Sequence, residues 1–353
     1  MYNLIKIEDG LNLENKIFID VRSPAEYEEA TIPGAINIPL LEDNERAAVG
    51  TVYRNESMEK ATQLGISFAS HKLPEIFTMI NQFHAEKKSV IIFCWRGGMR
   101  SKSVCSFLNS LNISNVYQLI GGYKSYRRFV VEYLENMSQT FDFLMLHGLT
   151  GVGKTHILKA LKQKGESVLD LEDLANNSGS VFGHILFREK SPSQKQFESY
   201  IFQELYNTKR KIIFVESESK RIGNVQIPDA LFDKMINGYH ILIKTDKDNR
   251  IEIIKNDYIG SNQDEKIIKA IGHLRKRLGN RLVEELILNI ENQEYDPVIR
   301  TLIDTYYDPL YSYSISKYDK YDLTIDYEII AEAIPILIGF RLFAEKELKG
   351  VLE

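Results

Sequence analysis

Short apolar runs recur along the chain between longer stretches of mixed polarity. Ile17-Phe18-Ile19-Asp20-Val21, Ile36 to Ile38, Ser89-Val90-Ile91-Ile92-Phe93 and Val116-Tyr117-Gln118-Leu119 are too short for helices, and they predict strands. Between them, Pro24-Ala25-Glu26-Tyr27-Glu28 has the proline-first composition of a helix start, and Ile32-Pro33-Gly34-Ala35 predicts a turn. Met58 to Glu86 has helical periodicity and predicts a long helical stretch, and Lys102 to Leu111 predicts another helix. The polar residues Asn136 to Thr140 predict a linker. Beyond it the alternation resumes, with strands expected at Phe141 to His147, Val168 to Leu171, Lys211 to Val215 and Tyr239 to Lys244, and a helix over Thr155 to Lys164. The last hundred residues predict mainly helix, and their tyrosines, Tyr306 to Tyr321, read as packing residues. No internal repeat or low-complexity tract interrupts this pattern. Strands alternating with helices imply parallel sheets covered on both faces, so the expected fold class is α/β. The expected domains are 1–135 and 141–353, the second ending in a helical part.

A length of 353 residues agrees with two cores, and 44% hydrophobic and 26% charged residues is an ordinary globular balance. The longest apolar stretches, such as Ile334 to Phe340, are too short to span a bilayer, and the first residues lack the pattern of a secretory signal. Two cysteines, Cys94 and Cys105, cannot build a disulfide framework, and the seven histidines have no zinc-ligand spacing with them. The expectation is a cytoplasmic protein with reduced thiols. A net charge of −5 does not by itself indicate a nucleic-acid binder, but the charge is uneven. No acidic residue lies between Glu86 and Glu132, whereas Arg96, Arg100, Lys124, Arg127 and Arg128 all do, and Arg275-Lys276-Arg277 forms a second basic run.

The first basic run surrounds Cys94, which stands at the carboxyl end of an apolar strand and before Trp95-Arg96-Gly97-Gly98-Met99-Arg100-Ser101. Glycines there let the backbone curl so that N–H groups face the sulfur, the following helix adds its positive end, and Arg96 and Arg100 add charge. All three favour a nucleophilic thiolate. Cys105, among Val104, Phe107 and Leu108, reads as a core residue.

Ile19 to Tyr27, Ile32 to Pro39 and Gly121-Gly122-Tyr123 resemble the rhodanese sulfurtransferase domain, in which such a cysteine carries a chalcogen. Five residues separate Cys94 from Arg100, one more than in the usual rhodanese loop. That length matches the cysteine-dependent phosphatases, although Phe93 stands where those usually place a histidine. A phosphatase therefore remains an alternative.

Gly148-Leu149-Thr150-Gly151-Val152-Gly153-Lys154-Thr155 fits the phosphate-loop pattern G-x-x-x-x-G-K-[ST], with a predicted strand before it and a helix after it. In such a loop the backbone N–H groups wrap a phosphate, Lys154 neutralises it and the Thr155 hydroxyl holds Mg²⁺. Glu216, ending the strand that runs through Val215, is expected to support the magnesium through its bound water rather than directly, although an aspartate is commoner there. The loop points to a bound phosphorylated group, not to ATP hydrolysis. A sulfur carrier with a nucleotide-dependent switch domain is a further alternative.

Taken together, the cysteine loop, Asn44-Glu45-Arg46 with Val49-Gly50-Thr51, the phosphate loop, Asp170-Leu171-Glu172 with Ala175-Asn176 and Gly179 to Gly183, and Glu216 to Ser219 with Arg221-Ile222-Gly223 resemble the tRNA 2-selenouridine synthase family. Ala30, where a glycine is usual, and Asn55-Glu56-Ser57 depart from the family pattern and are expected on a surface loop away from either site. The resemblance implies a tRNA carrying wobble 2-thiouridine as partner, and no tightly bound cofactor. It implies S-geranylation from geranyl diphosphate and then selenation from selenophosphate. It makes Cys94 the nucleophile or selenium carrier, with Arg96 and Arg100 stabilising anions. Gly148, Gly151, Gly153, Lys154, Thr155 and Glu216 would form the diphosphate site. Since tRNA is a polyanion, Lys124, Arg127, Arg128, Arg275 and Arg277 are its candidate contacts.

Overall fold

In a computed structural model the described residues are 2–136, 140–178, 182–183, 185, 190–259 and 263–350. Residues 137–139 of the expected linker and Gly179-Ser180-Val181 of the family motif lie outside them. The chain divides into two compact units, one of residues 1–133 with 198–200, the other of 134–197 with 201–353. Among the described residues no helix is long and apolar enough to cross a membrane.

The first unit is a five-stranded parallel sheet formed by β1 (Asn3–Ile5), β2 (Lys16–Asp20), β3 (Ile36–Asn37), β4 (Ser89–Phe93) and β5 (Val116–Leu119). Their spatial order is β1-β5-β4-β2-β3, which makes β4 the central strand. Val90, Ile91, Ile92 and Phe93 are wholly buried, as the unbroken apolar run demands of a strand covered on both faces. The expected helix over Met58 to Glu86 is two helices, Met58–Ser70 and Leu73–Ala85. The second carries Pro74 in its first turn, where a missing N–H costs nothing. A further helix, Asp43–Asn55, was not expected from the sequence. It buries no residue, so it lacks the apolar stripe by which helices are recognised.

Beneath the carboxyl ends of these strands lies a buried ion pair. Arg22 Nη2 is 2.6 Å from Asp20 Oδ2, the two side chains are 1% and 0% exposed, and the guanidinium lies 4.1 Å from the centre of the Tyr123 ring. Thr31 donates to Asp20 at 2.9 Å, and Arg22 donates to the carbonyl of Ala30 at 2.7 Å. Ala30 is therefore not on a surface loop: it is 2% exposed and part of this network. Its φ of −173° is extended backbone, so alanine serves there as well as glycine. Asp20→Ala would leave Arg22 charged, buried and half-paired, and should destabilise the protein by about 3–5 kcal/mol. Urea unfolding measures this, and a loss below about 1 kcal/mol would show the pair to be dispensable.

The second unit holds another all-parallel sheet. Its strands are β6 (Asp142–His147), β7 (Val168–Leu169), β8 (Ile212–Glu216), β11 (Tyr239–Lys244) and β12 (Leu323–Asp326), while β9 (Arg221–Ile222) and β10 (Val225–Gln226) pair separately as a short antiparallel ladder. The order is β12-β11-β6-β8-β7. The chain moves from β6 to one side for β7 and β8, then to the other for β11 and β12. The loop after β6 thus sits where the winding reverses, the usual place for a ligand in such a sheet. β12 was not expected from the sequence: four residues at an edge, after a long helical stretch, leave little pattern to read. Among the described residues seven further helices or helical turns lie between β11 and β12, in line with the expected helical C-terminal part. They form a second core around Ile271, Val283, Leu286 and Ile290.

Candidate functional site

The first candidate site is at the carboxyl end of β4. Cys94 follows the strand directly and is 3% exposed. The Tyr123 N–H donates to its carbonyl at 2.8 Å and the Lys124 N–H to that of Trp95 at 2.9 Å, so the Gly121-Gly122-Tyr123 turn closes against the loop. Gly122 has φ +60°, and a Cβ there would lie 2.1 Å from the carbonyl oxygen of Cys94, which leaves room for glycine alone. The helix after the loop begins at Met99, three residues earlier than expected, and brings Ser101 inward. Ser101 Oγ lies 3.3 Å from Cys94 Sγ. Gln118 donates to that Oγ at 3.0 Å and to the Gly97 carbonyl at 2.7 Å, bracing the loop from β5. Ser101 keeps its own proton to offer the sulfur or the Gly98 carbonyl, which is also 3.3 Å away.

The two loop arginines differ. Arg100 closes its fork on Glu26 at 2.6 and 3.2 Å. Against the upward push of burial, that hydrogen bond and charge hold the Glu26 carboxyl below its usual range. Half of the expected positive field is thereby spent on a partner the sequence did not single out. Arg96 is exposed, and among the described residues nothing pairs with it. Cys105 is wholly buried, as expected of a core residue, and burial pushes its thiol up to about 12.

The second candidate site is the loop after β6. Gly148 follows the strand directly, Gly151 and Gly153 take φ +83° and +69°, and the helix Lys154–Gln163 comes next. A Cβ on Gly151 would meet the Arg250 carbonyl at 2.9 Å, because the helix Lys247–Tyr258 packs closely on the loop. Arg250, 4% exposed, donates to the Thr150 carbonyl at 2.8 Å and forms an ion pair with Asp308. Lys154 reaches back to the Gly148 carbonyl at 3.3 Å, and Thr155 is half-buried at the start of the helix.

The register of β6 and β8 sets Glu216 opposite Leu146, beside the loop. Glu172, in the first turn of the helix Leu171–Ala175, and Glu218 join it. Burial first, then mutual repulsion, pushes all three carboxyls up. His156 meets Asp257 at 2.7 Å at the same pocket, and this hydrogen bond raises its imidazole above the ordinary value.

From the phosphate loop the pocket runs into an apolar wall. Its cavity volume is about 160 Å³, and it opens to solvent at its mouth. Beyond Lys154 and Thr155 its lining is mostly hydrocarbon and ring, including Ile253, Ile254, Tyr258, Val298, Leu302 and Tyr311.

The candidate tRNA contacts are less uniform than the sequence implied. Lys124 and Arg128 are exposed, with Arg128 only 3.8 Å from Glu132 in an open surface pair. Arg127 is mostly buried and ion-paired with Glu198. Arg275 is held by Glu284 at 2.6 Å, so the acid that ends its basic run in sequence folds back on it in space. Arg277 lies 5.4 Å over the Tyr306 ring.

Comparison with known proteins agrees with this division. Residues 141–328 match the family described as the tRNA 2-selenouridine synthase AAA domain, and residues 6–128 match the rhodanese-like domain. The tRNA 2-selenouridine synthase of Hydrogenovibrio crunogenus is 33% identical, covering 86% of this chain and 91% of its own. Those of Shewanella denitrificans and Marinobacter nauticus are 31% and 30% identical, covering 87% and 88% of this chain and 90% and 92% of theirs.

Proposed function

Because the chain belongs to the tRNA 2-selenouridine synthase family, we propose that it converts 2-thiouridine at the wobble position of tRNA to 2-selenouridine in the cytoplasm. The sulfur is first alkylated with a geranyl group from geranyl diphosphate, and the geranylated sulfur is then replaced by selenium from selenophosphate. The observation that carries this reading is the pocket, in which a phosphate loop opens onto a hydrocarbon wall. A nucleotide offers a polar ribose and base to such a wall, whereas a prenyl diphosphate offers an apolar chain. Burying a ten-carbon chain there contributes about 0.8 kcal/mol for each CH₂ removed from water.

In the first step the thiocarbonyl sulfur attacks the first carbon of the prenyl chain. The carbon–oxygen bond breaks with its electron pair leaving on diphosphate, and the base loses its N3 proton. The developing charge falls where Lys154, the N–H groups of Gly151 to Thr155 and the positive end of the helix Lys154–Gln163 converge. Thr155 and Glu216 are suited to a Mg²⁺ beside the diphosphate, since one buried carboxylate oxygen of Glu216 has no hydrogen-bond partner. When bound, such an ion takes up part of the leaving group's charge. In the selenium step Cys94 acts as nucleophile: its thiolate attacks the base carbon that bears the geranylated sulfur and expels geranyl thiolate. Selenide, freed when water cleaves the phosphorus–selenium bond and releases phosphate, then displaces the Cys94 thiolate with no change of oxidation state. Arg96 is the available anion stabiliser there, while Arg100 would first have to release Glu26. Lys124 and Arg128 are the tRNA contacts this reading favours, because they are exposed.

The test is to incubate the full chain with thiolated tRNA, geranyl diphosphate and selenophosphate, then digest the tRNA for mass spectrometry. Geranylated and selenated wobble nucleosides are expected. ATP hydrolysis with unchanged tRNA would instead fit a sulfur carrier with a switch domain, and release of phosphate from aryl phosphates would fit a phosphatase.

A further inference from the structure

Three carboxylates from separate points of the chain converge beside the phosphate loop. Glu172, Glu216 and Glu218 each bring an oxygen within 4.8 Å of the other two. Such spacing suits oxygens arranged around one ion at the roughly 2.1–2.5 Å typical of magnesium and calcium. Glu216 is 1% exposed, and its Oε1 has no hydrogen-bond partner. A buried carboxylate with an unfilled acceptor is costly unless a cation completes it. Lys154 is the cation that bears on all three. A doubly charged ion among the three would offset their mutual repulsion, which Lys154 offsets only in part. The donor set is all oxygen, which selects a hard cation over zinc or copper.

We propose that Glu172, Glu216 and Glu218 bind one divalent, oxygen-seeking cation directly, and that the protein loads it before any diphosphate arrives. In an ordinary phosphate loop the Ser/Thr hydroxyl and the phosphates supply most of the ion's ligands, so metal and nucleotide enter together. Here the protein supplies three charged ligands of its own. The inference rests on reading the loop as phosphate-binding, but not on the prenyl chain or on tRNA.

Titration of the full chain with Mn²⁺, followed by loss of the free-ion electron paramagnetic resonance signal with no diphosphate present, tests it. One Mn²⁺ per chain is expected, competed by Mg²⁺. Glu172→Gln and Glu218→Gln should each weaken binding by about tenfold or more. Both variants should keep the wild-type thermal stability without metal, since glutamine preserves the shape and can still take part in the Glu172–Glu218 hydrogen bond, and should lose the upward shift that Mn²⁺ gives the wild type. This melting comparison separates a lost ligand from a lost fold. Binding of Mn²⁺ only after pyrophosphate is added would overturn the proposal, as would glutamine variants that bind as tightly as the wild type. Because neither prenyl substrate nor tRNA is used, failure here is distinct from failure of the proposed reaction.

Discussion

Cys94→Ala should abolish selenium incorporation while leaving S-geranylated tRNA to accumulate. Cys94 follows β4 in one unit, and the phosphate loop follows β6 in the other, so on the proposed reading the two chemistries draw on different residues. The expected loss of selenation is about 10³-fold or more, as for removal of a nucleophile acting with its neighbours. Alanine occupies nearly the same space, and the bracing of the loop by Gln118 does not use the sulfur, so the fold should survive. Nucleoside mass spectrometry of product tRNA, with circular dichroism as the folding control, measures both parts. Selenation within about tenfold of the wild-type rate would remove Cys94 from the reaction.

Lys154→Ala should give the opposite phenotype: geranylation of thiolated tRNA slowed by about 10²–10³-fold, with selenation of tRNA already geranylated largely retained. The lysine reaches across its loop to the Gly148 carbonyl at 3.3 Å, poised over the place a phosphate would occupy. On the proposed reaction it would stabilise charge that grows as the carbon–oxygen bond breaks, so the effect should fall on kcat more than on KM. A variant that geranylates at the normal rate would show that the loop serves something else.

The strands were the most legible part of the chain. Ser89–Phe93, Val116–Leu119 and Tyr239–Lys244 form over the residues their apolar runs mark, because a strand buried on both faces has no polar alternation to blur its ends. The two loops were legible because their glycines and charges lie within eight residues of one another. The supports of those loops were not. Arg250 reaches Thr150 from 100 positions away, and Arg100 finds Glu26 from 74. Glu172 is a case in between: it was visible as part of a motif, yet only folding the helix Leu171–Ala175 against the end of β8 makes it a neighbour of Glu216. The exposed helix Asp43–Asn55 and the edge strand β12 escaped because neither has a buried side distinct enough to impose a period.

The return of the chain at β12 carries a consequence for inheritance. After Lys244 the backbone leaves the sheet, builds most of the pocket's hydrocarbon wall, and comes back to pair Leu323 to Asp326 with the strand it left. Thr245 donates to the Tyr327 carbonyl at 2.8 Å, and the Tyr327 hydroxyl donates to the Val152 carbonyl at 2.8 Å, so both ends of the excursion are fastened beside the phosphate loop. Among the described residues, the stretch between the helix Lys247–Tyr258, whose Arg250 holds the Thr150 carbonyl, and β12 makes none of the sheet's ladder hydrogen bonds, so it can drift, lengthen or be replaced without disturbing them. On the proposed reading the grip on the diphosphate and the taste for a particular tail are thus partly separable traits, and a lineage can retune the wall beyond Tyr258 while keeping the loop.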